Sequence, residues 1–165
     1  MLNVIRAKCL VIGGDACTDA WCRNSSKQVR IRYKHAIQLF FFDMSGKEFH
    51  KSLMKKMSEQ TSLVLLVYDV TSEESFVMAE NLYQEVQKIN GEIPVKGILF
   101  GNKTDLVNRR RVTPKTGNEL AKKLGLTYFE GSGKEQQGID TPLFFLANEW
   151  YKIYTERTNI LKEFT

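Results

Sequence analysis

Four polar residues directly follow an apolar run in the second half of the chain. Residues 98–101 read Ile-Leu-Phe-Gly, and Asn102, Lys103, Thr104 and Asp105 come next. A buried carboxylate at Asp105 could accept hydrogen bonds from both the ring N–H and the exocyclic amine of guanine. Adenine has no amine at that position, so it would leave the carboxylate unpaired at a high cost. An ordinary turn after a strand is the alternative, since Asn and Asp are common turn residues.

Asn102 and Lys103 suit the same chemistry. The amide of Asn102 is both a donor and an acceptor, so it could contact another edge of the base and tie neighbouring loops together. The aliphatic stem of Lys103 could lie flat on a purine ring. A motif of four residues is weak evidence on its own, so it does not exclude an ordinary turn at this position.

A second polar loop decides between these alternatives. Residues 126–130 are predicted to form a strand, and Ser132, Gly133 and Lys134 follow it. Together, the two motifs resemble the base-recognition pair of Ras-like small GTPases. The resemblance implies a guanine site made by Asn102, Lys103, Asp105, Ser132, Gly133 and Lys134. It also implies that the backbone N–H of Gly133 contacts the guanine oxygen.

Two upstream motifs extend the resemblance over nearly the whole chain. Asp43-Met44-Ser45-Gly46 is similar to the Asp-x-x-Gly loop of the second switch, and residues 67–76 are similar to the fourth strand and following helix start of Rab proteins. The resemblance implies that Asp43 reaches Mg²⁺ through a water and that the N–H of Gly46 senses a γ-phosphate. Lys47 stands where the family usually has a glutamine that orients the attacking water. Because lysine is only a donor, any hydrolysis is expected to be very slow.

The phosphate-binding loop departs from the family pattern. The motif Gly-x-x-x-x-Gly-Lys-Ser/Thr surrounds phosphates with backbone N–H groups. Its lysine neutralises phosphate charge, and its hydroxyl binds Mg²⁺. The corresponding stretch has neither the second glycine nor the lysine, and its residues are Gly14, Asp15, Ala16, Cys17 and Thr18. We therefore expect a degenerate loop that binds phosphate poorly, with Thr18 as the candidate Mg²⁺ ligand beside Asp43.

The first helix and the first switch also have no room in the sequence. Nine residues separate Thr18 from Gln28, whereas a helix of about 11 residues with two connections needs roughly twice that number. Two explanations stay open. The chain has lost phosphate binding and needs no cofactor, or a segment is missing from this sequence and the protein binds GTP or GDP with Mg²⁺.

Composition limits the alternatives. The chain has 165 residues and a formal net charge of +5, which fits one domain spanning residues 1–165 and gives little support for nucleic-acid binding. Its three cysteines lie at one end, as expected of reduced thiols and not of a disulfide framework. No apolar run approaches the ~20 residues that a membrane span needs.

Hydrophobic periodicity predicts the elements that position these residues. Strand and helix alternate after Ser62, and residues 28–33 alternate polar and apolar as an edge strand does. The predicted fold class is α/β: a doubly wound, mostly parallel six-stranded sheet with flanking helices. The predicted strands are residues 7–12, 28–33, 37–42, 62–69, 95–100 and 126–130, and the predicted helices are residues 75–90, 114–124 and about 141–161.

The C-terminal helix carries more aromatic residues than one packing face usually needs. Phe144, Trp150, Tyr151 and Tyr154 recur at helical spacing, and they either pack on the sheet or anchor a protein partner. Because no cysteine follows Cys22, we expect no prenylation and no direct membrane anchor.

The second-switch motif, the Rab-like run and this C-terminal helix together resemble the Rab-like subunits of the ciliary intraflagellar transport complex B. The resemblance implies a location in the cilium or flagellum, at its base and in the cytoplasm. It implies intraflagellar transport protein 25 and other complex B subunits as partners, together with the Bardet–Biedl coat complex. The expected function is that of a structural adaptor in ciliary protein transport. The alternative is an active GTP-binding switch with slow hydrolysis.

Overall fold

The structure is a computed structural model, and it describes residues 3–13, 26–32, 35–44, 61–91 and 95–163, together with residues 55, 56, 58, 59 and 93. The elements, in chain order, are β1 (Asn3–Gly13), β2 (Ser26–Arg32), β3 (His35–Asp43), β4 (Leu63–Asp69), α1 (Glu73–Asn90), β5 (Lys96–Asn102), a short 3₁₀ helix (Val107–Arg109), α2 (Pro114–Leu124), β6 (Thr127–Glu130) and α3 (Asp140–Glu163).

Six strands form one sheet in the order β2-β3-β1-β4-β5-β6. All neighbouring pairs are parallel except β2 and β3, which are antiparallel. All seven residues of β4 are buried, as expected of a central strand covered on both faces. The predicted doubly wound, mostly parallel six-stranded sheet is confirmed, with β2 at one edge.

Helices cover both faces of the sheet. On one face, Leu143, Leu146 and Ala147 of α3 pack on odd-numbered residues of β1 and β3. On the other face, α1 and α2 bury Tyr83 and Leu120 against the opposite sides of β1 and β4. Because β1, β3, β4 and β5 are parallel, their C-terminal ends meet at one edge of the sheet. Parallel α/β proteins bind ligands at this edge.

Local signals set the helix ends. Ser72 caps α1 by accepting a hydrogen bond from Ser75 N at 3.1 Å, so the helix begins at Glu73, two residues before the prediction. Thr113 caps α2, which has a proline in its first turn and spans the predicted residues 114–124.

Several strand predictions needed correction. β2 begins at Ser26 and not at residue 28, because Ser26 pairs with Phe40 of β3. β1 begins at Asn3 and not at residue 7, because its first residues pair with β3 from His35 onward. His35 was predicted to lie in the connection between β2 and β3, but it pairs with Arg32 and belongs to β3. β5 continues through Asn102 because its last residues pair with the end of β4. Residues 14–25, where the first helix was predicted to be absent, lie outside the described part of the chain.

Candidate functional site

The two predicted base-reading motifs lie side by side at the C-terminal edge of the sheet. β5 and β6 pair in parallel, with Gly101 opposite Glu130, so the loops after them are neighbours. Backbone hydrogen bonds join the loops: Gly131 N donates to Gly101 O at 2.9 Å, and Thr104 N donates to Gly131 O at 3.2 Å. The fold thus brings together residues separated by about thirty positions in the sequence.

Asn102 ties these loops together through its side-chain oxygen. Its Oδ1 accepts hydrogen bonds from Lys103 N at 2.8 Å and from Gly133 N at 3.0 Å. The residue is buried at the end of β5; its bond from Gly133 N is buried, whereas its bond from Lys103 N is partly exposed. This geometry gives Asn102 a structural role, and it also modifies the role expected of Gly133. The Gly133 N–H already has an acceptor within the protein, so contact with a base oxygen would need that bond to be shared or exchanged.

Asp105 is held against the same loop. Its Oδ1 accepts a hydrogen bond from Ser132 Oγ at 2.6 Å, and Ser132 Oγ accepts one from Glu135 N at 3.1 Å. Ser132 is buried and Asp105 is half-buried. The carboxylate is thus oriented by a neighbouring hydroxyl, which is the arrangement that a site reading two donors on a base requires.

Lys103 adopts an uncommon backbone conformation and is fixed by an ion pair. Its φ of 67° lies in the left-handed region, which is rare for lysine. Its ammonium lies 2.8 Å from Asp69 Oδ2, at the end of β4, and Asp69 Oδ1 also accepts from the N–H and hydroxyl of Thr71 at 2.8 and 2.7 Å. Burial alone would raise the pKa of Asp69, but the hydrogen bonds from Lys103 and Thr71 outweigh it and lower that pKa.

Asp69 was not singled out by the sequence analysis. The signal that could have found it is the strand register, since Asp69 pairs with Asn102 in the sheet. Polar residues at equivalent ends of parallel strands share one edge.

A second missed feature is a half-buried polar network behind the loop that follows β6. The guanidinium of Arg110 donates two hydrogen bonds to the carboxylate of Glu130, at 2.7 and 3.1 Å. The hydroxyl of Tyr128 donates to the same carboxylate and lies 2.9 Å from the hydroxyl of Tyr68. Burial raises the pKa of Tyr68 to about 12, and burial together with the Glu130 hydrogen bond raises that of Tyr128. This network anchors the residue that immediately precedes Gly131.

The remaining predicted guanine-site residue, Lys134, projects into solvent. Its side chain is 79% exposed, and its ammonium lies 3.6 Å from the Glu135 carboxylate. Asp43 is exposed at the end of β3, at the same sheet edge as Asp69 and Asn102. The predicted phosphate-loop and second-switch residues Gly14, Asp15, Ala16, Cys17, Thr18, Gly46 and Lys47 lie outside the described residues.

Of the two predicted magnesium ligands, only Asp43 lies among the described residues, so its pairing with Thr18 stays a prediction. Within the ranges that the structure describes, no group of three or more His, Cys, Asp or Glu side chains could hold a metal ion. Among the same residues, no helix is both long enough and apolar enough to cross a bilayer.

The aromatic residues of α3 divide into two groups. Trp150, Tyr151 and Tyr154 pack against the core cluster beneath the helix. Phe144 instead is 49% exposed on the outer side of α3. Only Phe144, of these four, therefore presents a large part of its surface for contact with a partner.

Comparison with known proteins gives consistent matches. The Ras family model matches residues 18–152. Intraflagellar transport protein 27 homolog of Mus musculus is 35% identical over 125 residues, covering 76% of this chain and 67% of the relative. The Homo sapiens homolog is 35% identical over 127 residues, covering 77% and 68%. Ras-related protein Rab-13 of Bos taurus is 30% identical over 113 residues, covering 68% of this chain and 55% of that protein.

Proposed function

This chain belongs to the Ras family of small GTPases, and on that premise we propose that it is a Rab-like subunit of intraflagellar transport. Two relatives at 35% identity carry intraflagellar transport in their names, and each match covers about two thirds of the relative's length. We place the protein in the cilium or flagellum, including its base and the cytoplasm, as a structural adaptor within complex B.

The observation that carries the nucleotide part of the proposal is the clamp between the two loops. Asn102 holds the backbone of Gly133, and Ser132 holds the carboxylate of Asp105. Such an arrangement fits guanine, because a fixed carboxylate acceptor selects a base with two adjacent donors. We infer that the chain retains a base-reading half-site.

The phosphate half of the site is expected to be weak. The sequence at Gly14–Thr18 has no Gly-Lys-Thr element, so few donors and no lysine are available to a di- or triphosphate. We therefore propose weak binding of GTP or GDP, with partner contacts as the main role. Asn102 and Asp105 would hold the base, and Asp43 would serve Mg²⁺ when it is bound.

An active GTP-binding switch is the second candidate, and the intact clamp favours it. Burying polar groups costs free energy of desolvation. A site that no longer binds nucleotide would gain nothing in return for that cost, so an ordered clamp fits a site that is still used. Two measurements distinguish the candidates: the intact mass of the expressed protein, and then the release and identification of any bound nucleotide. A mass equal to that of this sequence without released nucleotide supports the adaptor. Released GTP or GDP supports the switch, and single-turnover hydrolysis should then be very slow because Lys47 replaces glutamine.

Base recognition is tested by Asp105→Asn. The substitution replaces one acceptor oxygen by a donor, so affinity for a fluorescent GDP analogue should fall about 10- to 150-fold, the loss expected for charge-assisted hydrogen bonds. Affinity for xanthosine diphosphate, whose ring carbonyl accepts a hydrogen bond, should rise. Glu135→Gln on the same loop is the matched control, because Glu135 is exposed. Equal affinities for both nucleotides in both variants would exclude base reading by Asp105.

The partner expected for this adaptor is intraflagellar transport protein 25, with other complex B subunits and the Bardet–Biedl coat complex as further partners. We propose Phe144 of α3 as an anchor, since exposed aromatic residues are favoured at interface hot spots. Phe144→Glu should lower the affinity for intraflagellar transport protein 25, followed by co-elution, by at least about 10-fold. Val107→Glu is the control, because Val107 is 72% exposed on the 3₁₀ helix. An equal effect of both substitutions would argue against Phe144.

A further inference from the structure

Lys103 is held at both ends, and the group that holds its ammonium lies on another strand. Its backbone N–H donates to Asn102 Oδ1 at 2.8 Å. Its ammonium lies 2.8 Å from Asp69 Oδ2, at the end of β4. The aliphatic stem of Lys103 therefore runs between two anchored points, from β5 towards β4, along the edge of the sheet.

Asp69 is itself anchored by the residues that begin α1. Its Oδ1 accepts hydrogen bonds from the N–H and the hydroxyl of Thr71 at 2.8 and 2.7 Å. Its backbone N–H donates to Ser75 Oγ at 3.0 Å, and its backbone oxygen accepts from Ser72 N at 3.0 Å. The residue is buried. Because both its side chain and its backbone are engaged, Asp69 offers the lysine ammonium a partner in a fixed position.

The ends of β4 and β5 are joined directly beside this ion pair. Asp69 pairs with Asn102 in the parallel ladder, and Val70 N donates to Asn102 O at 3.0 Å. Neighbouring strands lie about 4.7–4.9 Å apart, which a lysine side chain spans. The ion pair thus bridges two strand ends that the backbone already holds together.

Asp105, which we propose to contact the base, is anchored on the opposite side of β5. Its Oδ1 accepts from Ser132 Oγ at 2.6 Å, in the loop that follows β6. In the sheet, β5 lies between β4 and β6. The stem of Lys103 and the carboxylate of Asp105 are therefore held by different neighbours, each on its own side of β5.

The carboxylate of Asp69 is charged at neutral pH. Burial opposes its ionisation, but the hydrogen bonds from Lys103 and Thr71 outweigh burial and lower its pKa. The side chain of Asp69 is 12% exposed and that of Lys103 is 34% exposed. Water therefore screens their attraction less than it screens a fully exposed ion pair.

We propose that Asp69 is a positioning residue for guanine binding, and that it acts by holding the stem of Lys103 where the stem can lie on the purine ring. This inference rests on the base-reading half-site that we propose above. A free lysine side chain populates many rotamers, and ordering it when a ligand binds costs conformational free energy. Because Asp69 orders the stem before the base arrives, binding does not incur that cost.

The alternative is that Asp69 withholds Lys103 from the ligand. A lysine ammonium is also a phosphate-binding group, and it would have to leave the carboxylate before it could contact a phosphate. The two ideas predict opposite signs. If Asp69 positions the stem, removal of its charge weakens nucleotide binding; if it withholds the ammonium, the same change strengthens binding.

The test compares Asp69→Asn with Glu80→Gln in the full chain. Asp69→Asn keeps an oxygen that can accept from Thr71 and removes the charge that holds Lys103. Glu80→Gln is the matched control, because it weakens another lysine–carboxylate pair, that of Lys123 with Glu80 at 2.7 Å, which joins α1 and α2. A fluorescent GDP analogue is titrated into each protein, and guanosine and inorganic pyrophosphate are used as competitors.

Asp69→Asn should weaken binding of the GDP analogue and of guanosine by about 3- to 30-fold, the upper value corresponding to the rotamer freedom of one lysine. Glu80→Gln should leave both affinities unchanged. Competition by inorganic pyrophosphate should be the same in all three proteins, because pyrophosphate has no base.

Motion of the Lys103 side chain is the second readout, and it does not depend on a ligand. In the unmodified chain, the side-chain NMR signal of Lys103, assigned from its loss in Lys103→Met, should show restricted motion. In Asp69→Asn it should be as mobile as that of Lys122, which is exposed on α2. A freely mobile Lys103 in the unmodified chain would overturn the proposal without any substitution at Asp69.

The binding results separate this inference from the proposed function. Equal affinities of Asp69→Asn and Glu80→Gln for the GDP analogue would overturn this inference alone, and so would tighter binding by Asp69→Asn. A loss of pyrophosphate competition as large as the loss for guanosine would also overturn it, because the effect would then not concern the base. If the unmodified chain bound neither the GDP analogue nor guanosine, the base-reading half-site and this inference would fail together.

Discussion

Asn102→Ala tests whether the side-chain amide, and not the backbone alone, holds together the loops that follow β5 and β6. The substitution removes the acceptor of two backbone N–H groups, those of Lys103 and Gly133. The Gly133 bond is buried, and an unsatisfied buried donor costs about 1–3 kcal/mol. The Lys103 bond is partly exposed, so its loss should cost the smaller net value of about 0.5–1.5 kcal/mol.

The expected loss of unfolding free energy is therefore about 1.5–4.5 kcal/mol. For a chain of this size, that corresponds to a decrease in Tm of about 3–18 °C. Urea unfolding followed by circular dichroism measures the change, with the m-value expected to stay constant. Asn108→Ala is the control, because Asn108 is exposed on the 3₁₀ helix and should change stability by less than about 0.5 kcal/mol.

Amide hydrogen exchange separates a local effect from a global one. In the unmodified protein, the Gly133 amide should exchange slowly because it is buried and bonded to Asn102. In Asn102→Ala it should exchange much faster than amides at the centre of β4. If Asn102→Ala were no more destabilising than Asn108→Ala, and Gly133 kept its protection, the loops would be held by their backbone bonds and our reasoning would be wrong.

Three further predictions concern the scaffold of the site. Gly97→Ala would place a Cβ 2.0 Å from a backbone carbonyl oxygen of β4. Urea unfolding should therefore show that the free energy of unfolding falls by about 3 kcal/mol or more. Lys96→Ala, at the exposed start of the same strand, is the control and should change that free energy by less than about 0.5 kcal/mol. Arg110→Met should lower the free energy of unfolding by about 1.5–3 kcal/mol, because it leaves the Glu130 carboxylate without its bidentate partner. A double variant that also has Glu130→Leu should be destabilised by less than the sum of the two single changes. A strictly additive effect would show that the pair is not coupled. Burial raises the pKa of Tyr68 to about 12 in the folded state, so its stabilising contribution is complete below about pH 10 and is lost as the pH rises through 12. Ultraviolet titration should show no ionisation of Tyr68 at about pH 10 in the folded protein, and ionisation there would contradict its burial.

Helices and strands were predictable where local pattern and core packing agree. α2 has a threonine cap, a proline in its first turn and a glycine after its last, and its predicted bounds are the observed ones. The continuously apolar run of β4 likewise predicted a central strand. Errors arose at strand ends, where a partner strand determines how far pairing continues. His35 is such a case, since its pairing with Arg32 cannot be read from local composition.

The motifs of the candidate site were also predictable, but their partners were not. Recognisable short motifs contain Asn102, Asp105 and Ser132. No sequence motif, however, indicates the contact between Asp69 and Lys103. Arg110 and Glu130 are twenty positions apart, and their bidentate contact depends on where the loop after β5 folds back. Long-range contacts of this kind depend on strand order and register, which single-sequence patterns specify weakly.

The sequence was sufficient to predict the α/β class, the order of the elements and the polar motifs that follow β5 and β6. Hydrophobic periodicity, capping residues and polar motifs are local properties, so these predictions needed no knowledge of the packing. Two features became visible only in the folded chain: the Gly133 N–H is engaged by Asn102, and Trp150 packs inward while Phe144 faces outward. The first depends on the pairing of β5 with β6 and the second on the packing of α3 against the sheet, and both join residues that are distant in the chain.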